Sequence, residues 1–413
     1  MIELPVFVNI PEHSQCIGWN RHSLAKLPSM TRPLRIVAGP HETLLALREA
    51  LSSIGAAVLP LPVERAENVE LTVPHRTAIV VETSGTSQNP KRVALSADAV
   101  LASAAASASA LGGEGQWLLA VPSHYIAGIN VLVRSIASGW EPVVLDSVED
   151  RSSAGLPPVG FSAAGFVTAV AKLEAPLRFT SLVPAQLARL LEDQEAIVAL
   201  QRFSAVLVGG QSMPATLATA AAEHGIRVVR SYGSSETSGG CVYDGAPIGQ
   251  TVVRIRDGQI EVTGPVLAEG YLRDPERTDD AFFVEHGTRW YRTGDGGRLE
   301  DGVLTVTGRL DDVIISGGMK ISLGDVEAVI RELAGFDDAV VVGMASEKWG
   351  EVAVVVARAP HSAAVESVAL IRTLVTARLG REAAPARIEY LAAIPLLPSG
   401  KPDRRAIRAA LNH

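Results

Sequence analysis

Cysteine is nearly absent: Cys16 and Cys241 are the two in 413 residues, far apart and without metal-ligand spacing. That excludes a disulfide-stapled scaffold and a cysteine-held structural metal, and points to a reducing, cytoplasmic setting. Basic charge is not in excess either. Against 37 Lys and Arg stand 45 Asp and Glu, a formal net charge of −8, which excludes a protein that holds nucleic acid by bulk attraction to its phosphates. No stretch reads as a membrane span. The best candidate, VLASAAASASALGG from Val100, is apolar only through Ala and Ser, so membrane insertion is not expected. The opening MIELPVFVNIPEH lacks the basic start and long apolar run of a secretory signal.

What the chain has is size and alternation. Its 413 residues bury a large core with enough left for a second domain. Strand-like runs at 117–121, 179–183, 203–208 and 226–230 alternate with helical runs at 126–138, 184–192 and 213–223. This βα alternation predicts an α/β fold, doubly wound around mainly parallel sheets, with ligands at the carboxyl ends of the strands. Residues 252–266 predict a hairpin with Asp257-Gly258 at its turn, part of a small antiparallel, β-barrel-like subdomain. Beyond it, helical periodicity at 322–333 and 365–379 and alternation at 339–343 and 352–357 predict a compact α+β unit.

Several polar clusters fall at predicted strand ends. In TAIVVETSGTSQNPKRVALS, Thr83, Ser84, Gly85, Thr86 and Ser87, closed by Lys91, have the chemistry of a phosphate cradle. A Walker P-loop fails on Pro90 and Arg92, which replace its second glycine and its magnesium-binding hydroxyl; a plain polar loop leading to a helix over 96–111 stays open. His124 follows another strand end, and alone reads more readily as a satisfied core or surface histidine. Gly128 lets the following helix pack closely. Arg134, further along it, is either a solvent-facing arginine or a fork for a second substrate carboxylate. Gly209, Gly210 and Gln211 permit close approach to a flat ring, and Ser231 to Thr237 (SYGSSET) is a second small-polar turn. Asp295, at a predicted turn after Tyr291-Arg292-Thr293, suits the two hydroxyls of a ribose. Lys401 stands in a Gly/Pro turn, where a lysine is ordinarily just solvated.

Together YRTGD (291–295), GRLDDVIISGG (308–318), the TSGTSQNPKR loop, YGSSE and PSGK (398–401) resemble the adenylate-forming superfamily of acyl-CoA synthetases, luciferases and adenylation domains. The resemblance implies two half-reactions, with ATP and coenzyme A as co-substrates and Mg2+ as cofactor. Asp295 would hold ribose, Arg309 ribose and phosphate, and Tyr232 adenine. The hydroxyls of Ser231, Ser234 and Ser235 with Gly233 would lie near phosphate, and Glu236 would ligate magnesium. His124 would gate the acyl pocket and Lys401 would stabilise charge during adenylation. Asp311 would be a hinge that exchanges Lys401 for a coenzyme A face including Gly317, Gly318 and Lys320. The implied division is a domain over 1–310, β-rich at about 245–308, and a mobile cap over 311–413. The chain departs from the family's phosphate loop at Gln88 and Arg92, both normally glycine.

The runs VPSHYIAGINVLVRS, FTSLVPAQLARLL and YGSSETSGGCVYDGAPIG narrow the resemblance to the short actinobacterial type of o-succinylbenzoate–CoA ligase of menaquinone biosynthesis. That implies an aromatic keto-diacid substrate, with His124, Gly128, Ser238 and Gly239 shaping the pocket and Arg134 holding the second carboxylate. Another aryl- or acyl-CoA ligase, a stand-alone adenylation enzyme and a non-catalytic nucleotide-binding relative remain alternatives, and homodimerisation is left open.

Overall fold

The computed structural model describes residues 31–52, 55–62, 65, 71–83, 90–148, 159–333, 335–336, 338–358, 368–397 and 402–411. Four sheets organise them. In the first, Thr31–Ala38, Ala57–Leu61 and Thr77–Thr83 run parallel, and antiparallel strands Lys91–Ser96, Gly270–Tyr271 and Leu71–Pro74 extend it. In the second, five parallel strands (Val143–Val144, Gln116–Leu119, Arg178–Leu182, Ala205–Gly209 and Val228–Ser234) continue into antiparallel Gly239–Tyr243 and Ala246–Pro247. The expected α/β architecture is present, with sheets more mixed than mainly parallel. The parallel strands are near-continuous apolar runs because both faces are covered.

The third sheet is antiparallel. Val252–Arg256 and Gln259–Thr263 turn at Asp257 and Gly258, both at positive φ as a two-residue hairpin requires. Gln259–Thr263 pairs onto Thr288–Glu300, which also takes Phe282–Glu285 and Val303–Arg309. The fourth contains Met319–Ser322, Val313–Ser316, Gly350–Arg358 and Val340–Ser346, with Arg387–Leu391 parallel beside Gly350–Arg358. Helices Leu323–Ile330 and Val368–Leu379 cover one face through Val326, Ile330, Ile371 and Val375. Among the described residues no helix is long and apolar enough to cross a membrane.

Helix Ile126–Ser138 carries Gly128, Asn130 and Arg134. It packs on the second sheet and against helix Ala97–Leu111. Its first turn presses onto the loop before it: a Cβ on Gly128 would sit 2.2 Å from the Pro122 carbonyl oxygen. A Gly128→Ala variant must push helix and loop apart, and its unfolding free energy is expected to fall by about 1–3 kcal/mol in denaturant titration. Wild-type stability in that variant would contradict the close packing.

Candidate active site

One carboxylate, that of Asp295, joins two sheets. Thr288–Glu300 is a single strand rather than a strand and a turn. Gly294 bends it at φ 73°, and the register against Val303–Arg309 slips between Gly296 and Gly297. Asp295 lies opposite Arg309 across these strands. Arg309 Nη1 donates to Asp295 Oδ1 at 3.1 Å, while Nε and Nη2 fork onto Asp311 at 2.9 and 3.2 Å. From the second sheet, the Tyr232 hydroxyl donates to Asp295 Oδ2 at 2.8 Å. Burial pushes the Asp295 carboxyl above the usual carboxylate range, and Arg309 and then Tyr232 pull it back. Tyr232 is itself raised, by burial first and by the Asp295 charge second. Asp311 is held low by its bond from Arg309.

Ser231 to Ser234 close the strand Val228–Ser234, and Ser235, Glu236 and Thr237 form a single 3-10 turn after it. Gly209 ends the neighbouring strand opposite Ser231; a Cβ on it would lie 3.0 Å from the Ser231 carbonyl, and Gly210 turns away at φ 82° just before Gln211. A Cβ on Gly233 would lie 2.0 Å from the Gly239 carbonyl, so this backbone packs with no room for a side chain. Glu236 is 7 % exposed and accepts from the Tyr271 hydroxyl at 2.8 Å on Oε1. The Tyr271 hydroxyl is pushed up by burial and then by the Glu236 charge. No group of three His, Cys, Asp or Glu among the described residues is placed to hold a metal. One carboxylate completed by phosphate oxygens and water fits magnesium better than a protein-only cage does.

Ser84, Gly85, Thr86, Ser87 and Lys401 lie outside the described residues. Their flanks do not. Thr83 pairs with Lys91 across two antiparallel strands, so a strand, and not a helix, begins at Lys91. The extra strand Lys91–Ser96 escapes sequence reading because it opens on two charged residues, and Ser96 then caps helix Ala97–Leu111. Arg92, where the family has glycine, pairs with Glu82 on the facing strand at 3.3 Å, and Arg65 reaches the same carboxylate. Lys91 Nζ lies 5.7 Å from the Tyr271 ring centre. One tyrosine thus touches both Lys91 and Glu236, and Lys91 and Tyr271 border a cleft of about 290 Å3 with Asp274 and Arg277.

On the acyl side, His124 sits in the turn before helix Ile126–Ser138, its ring 4.3 Å from that of Tyr125. Arg134 lies further down the helix, buried, with its guanidinium 4.8 Å over the Trp117 ring and Nη2 donating to the Tyr243 hydroxyl at 3.2 Å. The solvent-facing reading of Arg134 is therefore excluded. Ser238 stands at φ 52° with its hydroxyl bonded to the Val266 carbonyl at 2.8 Å, and its own carbonyl receives Asn130 Nδ2 and the Ser103 hydroxyl at 2.9 and 3.0 Å. The Ser238 side chain is thus committed to backbone. A Cβ on Gly239 would lie 2.0 Å from Asn130 Nδ2. Sequence reasoning missed Asn130 and Tyr271; the one available signal for Asn130 was an amide in the apolar run of its helix.

In the fourth sheet Gly317 and Gly318, at φ 57° and 85°, form the two-residue turn between Val313–Ser316 and Met319–Ser322. Gly317 N donates to the Trp349 carbonyl at 2.9 Å, and Lys320, Met319 and Trp349 are exposed around it. Beside Asp311, Asp312 meets Arg404 Nε at 3.1 Å, and Arg404 Nη2 reaches Glu327 at 2.8 Å.

Comparison with known proteins follows the same lines. A family described as AMP-binding enzyme matches residues 22–277, and the AMP-binding enzyme C-terminal domain matches residues 325–401. A probable 2-succinylbenzoate–CoA ligase of Mycobacterium tuberculosis is 38% identical over 387 residues, covering 91% of this chain and 97% of that one. The amide bond synthetase McbA of Marinactinospora thermotolerans superposes with a TM-score of 0.70 at 25% identity, over 91% of this chain and 79% of its own. Wild-type E. coli MenE, bound to an m-phenylether-linked analogue of OSB-AMS, superposes with a TM-score of 0.67 at 26% identity, over 93% of this chain and 89% of its own.

Arg309 limits how far burial raises Asp295, which gives a signed pH effect. A carboxyl with a raised folded pKa takes stability away as pH climbs from its unfolded value through its folded one. It also loses its power to accept hydroxyl donors as pH falls through the folded value. Arg309→Ala shifts that value upward, so AMP affinity, titrated calorimetrically between about pH 8 and pH 5, should weaken at a higher pH than in wild type. Parallel profiles would refute the coupling.

Proposed function

The chain belongs to the AMP-binding enzyme family, and from that membership we propose that it ligates 2-succinylbenzoate to coenzyme A through an acyl-adenylate, releasing pyrophosphate and AMP, in menaquinone biosynthesis. The observation that carries the reading is the end-to-end match to the M. tuberculosis ligase, 97% of whose length is covered. It is supported by a buried Arg134 without a carboxylate partner among the described residues, on the side of the site where the acid would lie.

A carboxylate oxygen of the acid attacks the α-phosphorus of ATP, and the bond to the bridging oxygen of pyrophosphate breaks. Asp295, Tyr232 and Arg309 orient the ribose end, so that the α-phosphate is presented in one direction. Lys91 and the hydroxyls of the 83–87 segment neutralise the departing phosphates, and Lys401 is assigned the charge forming between acid and α-phosphate. Bound magnesium supplies Lewis-acid polarisation of phosphate oxygens; Glu236, its carboxylate steadied by Tyr271, is the residue to hold it. In the second half-reaction the coenzyme A thiolate attacks the adenylate carbonyl and AMP leaves. Rotation at Asp311 would replace Lys401 by the face carrying Gly317, Gly318 and Lys320. Gly209, Gly210 and Gln211 form the wall assigned to adenine, and His124 with Gly128 the entry to the acyl pocket.

Pyrophosphate release, measured with ATP, magnesium, coenzyme A and a panel of 2-succinylbenzoate, benzoate, a medium-chain fatty acid and acetate, tests this directly. Release is expected with 2-succinylbenzoate alone, and Lys401→Ala should lose at least about a hundredfold in adenylation, the scale of removing one transition-state donor. Release with a different acid overturns the substrate. Nucleotide binding without any release overturns the enzyme.

A further inference from the structure

We propose that Tyr243, braced by Ser107, is the positioning residue that aims the Arg134 guanidinium at the second carboxylate of the acid, and thereby sets a preference for a diacid over a monoacid. The proposal rests on the reading of Arg134 above and adds two residues to it.

Arg134 is only 7 % exposed, yet no carboxylate among the described residues pairs with it, and its Nε has no hydrogen-bond partner among them. Other arginines of this protein are treated differently. Arg331, similarly sheltered, meets Glu327 at 2.8 Å, and buried Arg32 gives its guanidinium to the backbone carbonyls of Ala50 and Gly55. Arg134 has one neutral hydroxyl and one aromatic face. A buried cation left short of acceptors is unfavourable until an anion arrives, so this position is built for a ligand that brings negative charge. A carboxylate, forked by a guanidinium edge, is the class that fits.

Three elements converge to hold the guanidinium still. Arg134 comes from helix Ile126–Ser138, Tyr243 from the end of strand Gly239–Tyr243, and Ser107 from helix Ala97–Leu111. The Tyr243 oxygen accepts from Arg134 Nη2 at 3.2 Å and lies 2.9 Å from Ser107 Oγ. Whichever hydroxyl donates in that second bond, a tyrosine lone pair still faces the arginine. With one flat face on Trp117 and Nη2 tied to Tyr243, the guanidinium is restrained in one orientation, and its buried Nε keeps a donor that no described residue satisfies. Ordering it in advance removes a penalty that substrate binding would otherwise carry. A monoacid gains nothing from the arrangement, because it leaves the arginine unpaired.

The test compares 2-succinylbenzoate with monoacid analogues lacking one or the other carboxylate, in calorimetric binding and in pyrophosphate release by the full chain. Tyr243→Phe keeps the ring and removes the acceptor. It should raise the diacid KM and dissociation constant roughly five- to thirtyfold while leaving ATP KM and monoacid affinity within about twofold. Ser107→Ala should act in the same direction but less, and carries the test if the phenylalanine variant fails to fold. In an Arg134→Ala background, Tyr243→Phe should add less than about twofold, because a residue acting through the arginine has nothing left to act on. An unchanged diacid KM in Tyr243→Phe, equal losses for diacid and monoacid, or additive effects in the double variant would each overturn the proposal. If Arg134→Ala itself leaves diacid binding unchanged, the reading of Arg134 fails; if that variant loses binding and Tyr243→Phe does not, the tyrosine proposal alone fails.

Discussion

The half-buried Asp295 carboxylate is the group at which several parts of this molecule are tied together. A charge taken from water is tolerated only where donors replace its hydration. Its donors come from Tyr232 in the second sheet and Arg309 in the adjacent strand. The same guanidinium forks onto Asp311, where the fourth sheet is about to begin. One carboxylate therefore ties the end of the parallel sheet to the antiparallel layer, and through Arg309 to the junction of the small α+β unit. Bending the strand at Gly294 is the local price of placing a charge there.

The two ends of the site handle polarity in opposite ways. At the nucleotide end, charges are matched within the protein: Asp295 with Arg309, Arg92 and Arg65 with Glu82. A ligand arriving there offers hydroxyls that join an existing network. Around Arg134, by contrast, Nε has no partner among the described residues. In the proposed reaction the second carboxylate of the acid would complete that network.

How much of this was legible in the sequence follows from how each residue acts. Asp295, Arg309, Tyr232 and Glu236 stand in short runs, and it was the resemblance of those runs to the adenylate-forming superfamily that pointed to them. The helix over 126–138 and the Asp257-Gly258 hairpin were also readable, from periodicity and turn chemistry. Tyr271 and Asn130 were not. Tyr271 lies 35 positions from Glu236, whose carboxylate it binds, and Asn130 lies 108 from Ser238; nothing local marks Tyr271, and Asn130 shows only as an amide in an apolar helical run. The strand Lys91–Ser96 was hidden for a different reason. Its first two residues are half-exposed and charged, so the alternation that marks a strand begins too late to be counted. The pairing of Arg92 with Glu82 also gives a use for a side chain where the family has glycine: it is bonded across the sheet to the facing strand.

The Arg404 clamp has a mechanical meaning. Along the chain, almost the whole small unit separates Asp312 from Pro402. Through space, one guanidinium connects the start of that unit to helix Arg404–Leu411, and Pro402 is bridged back to Leu396. The residue before Pro402 is Lys401. A displacement at Asp312 would thus be felt at helix Arg404–Leu411 through one ion pair, without passing along the intervening strands and helices.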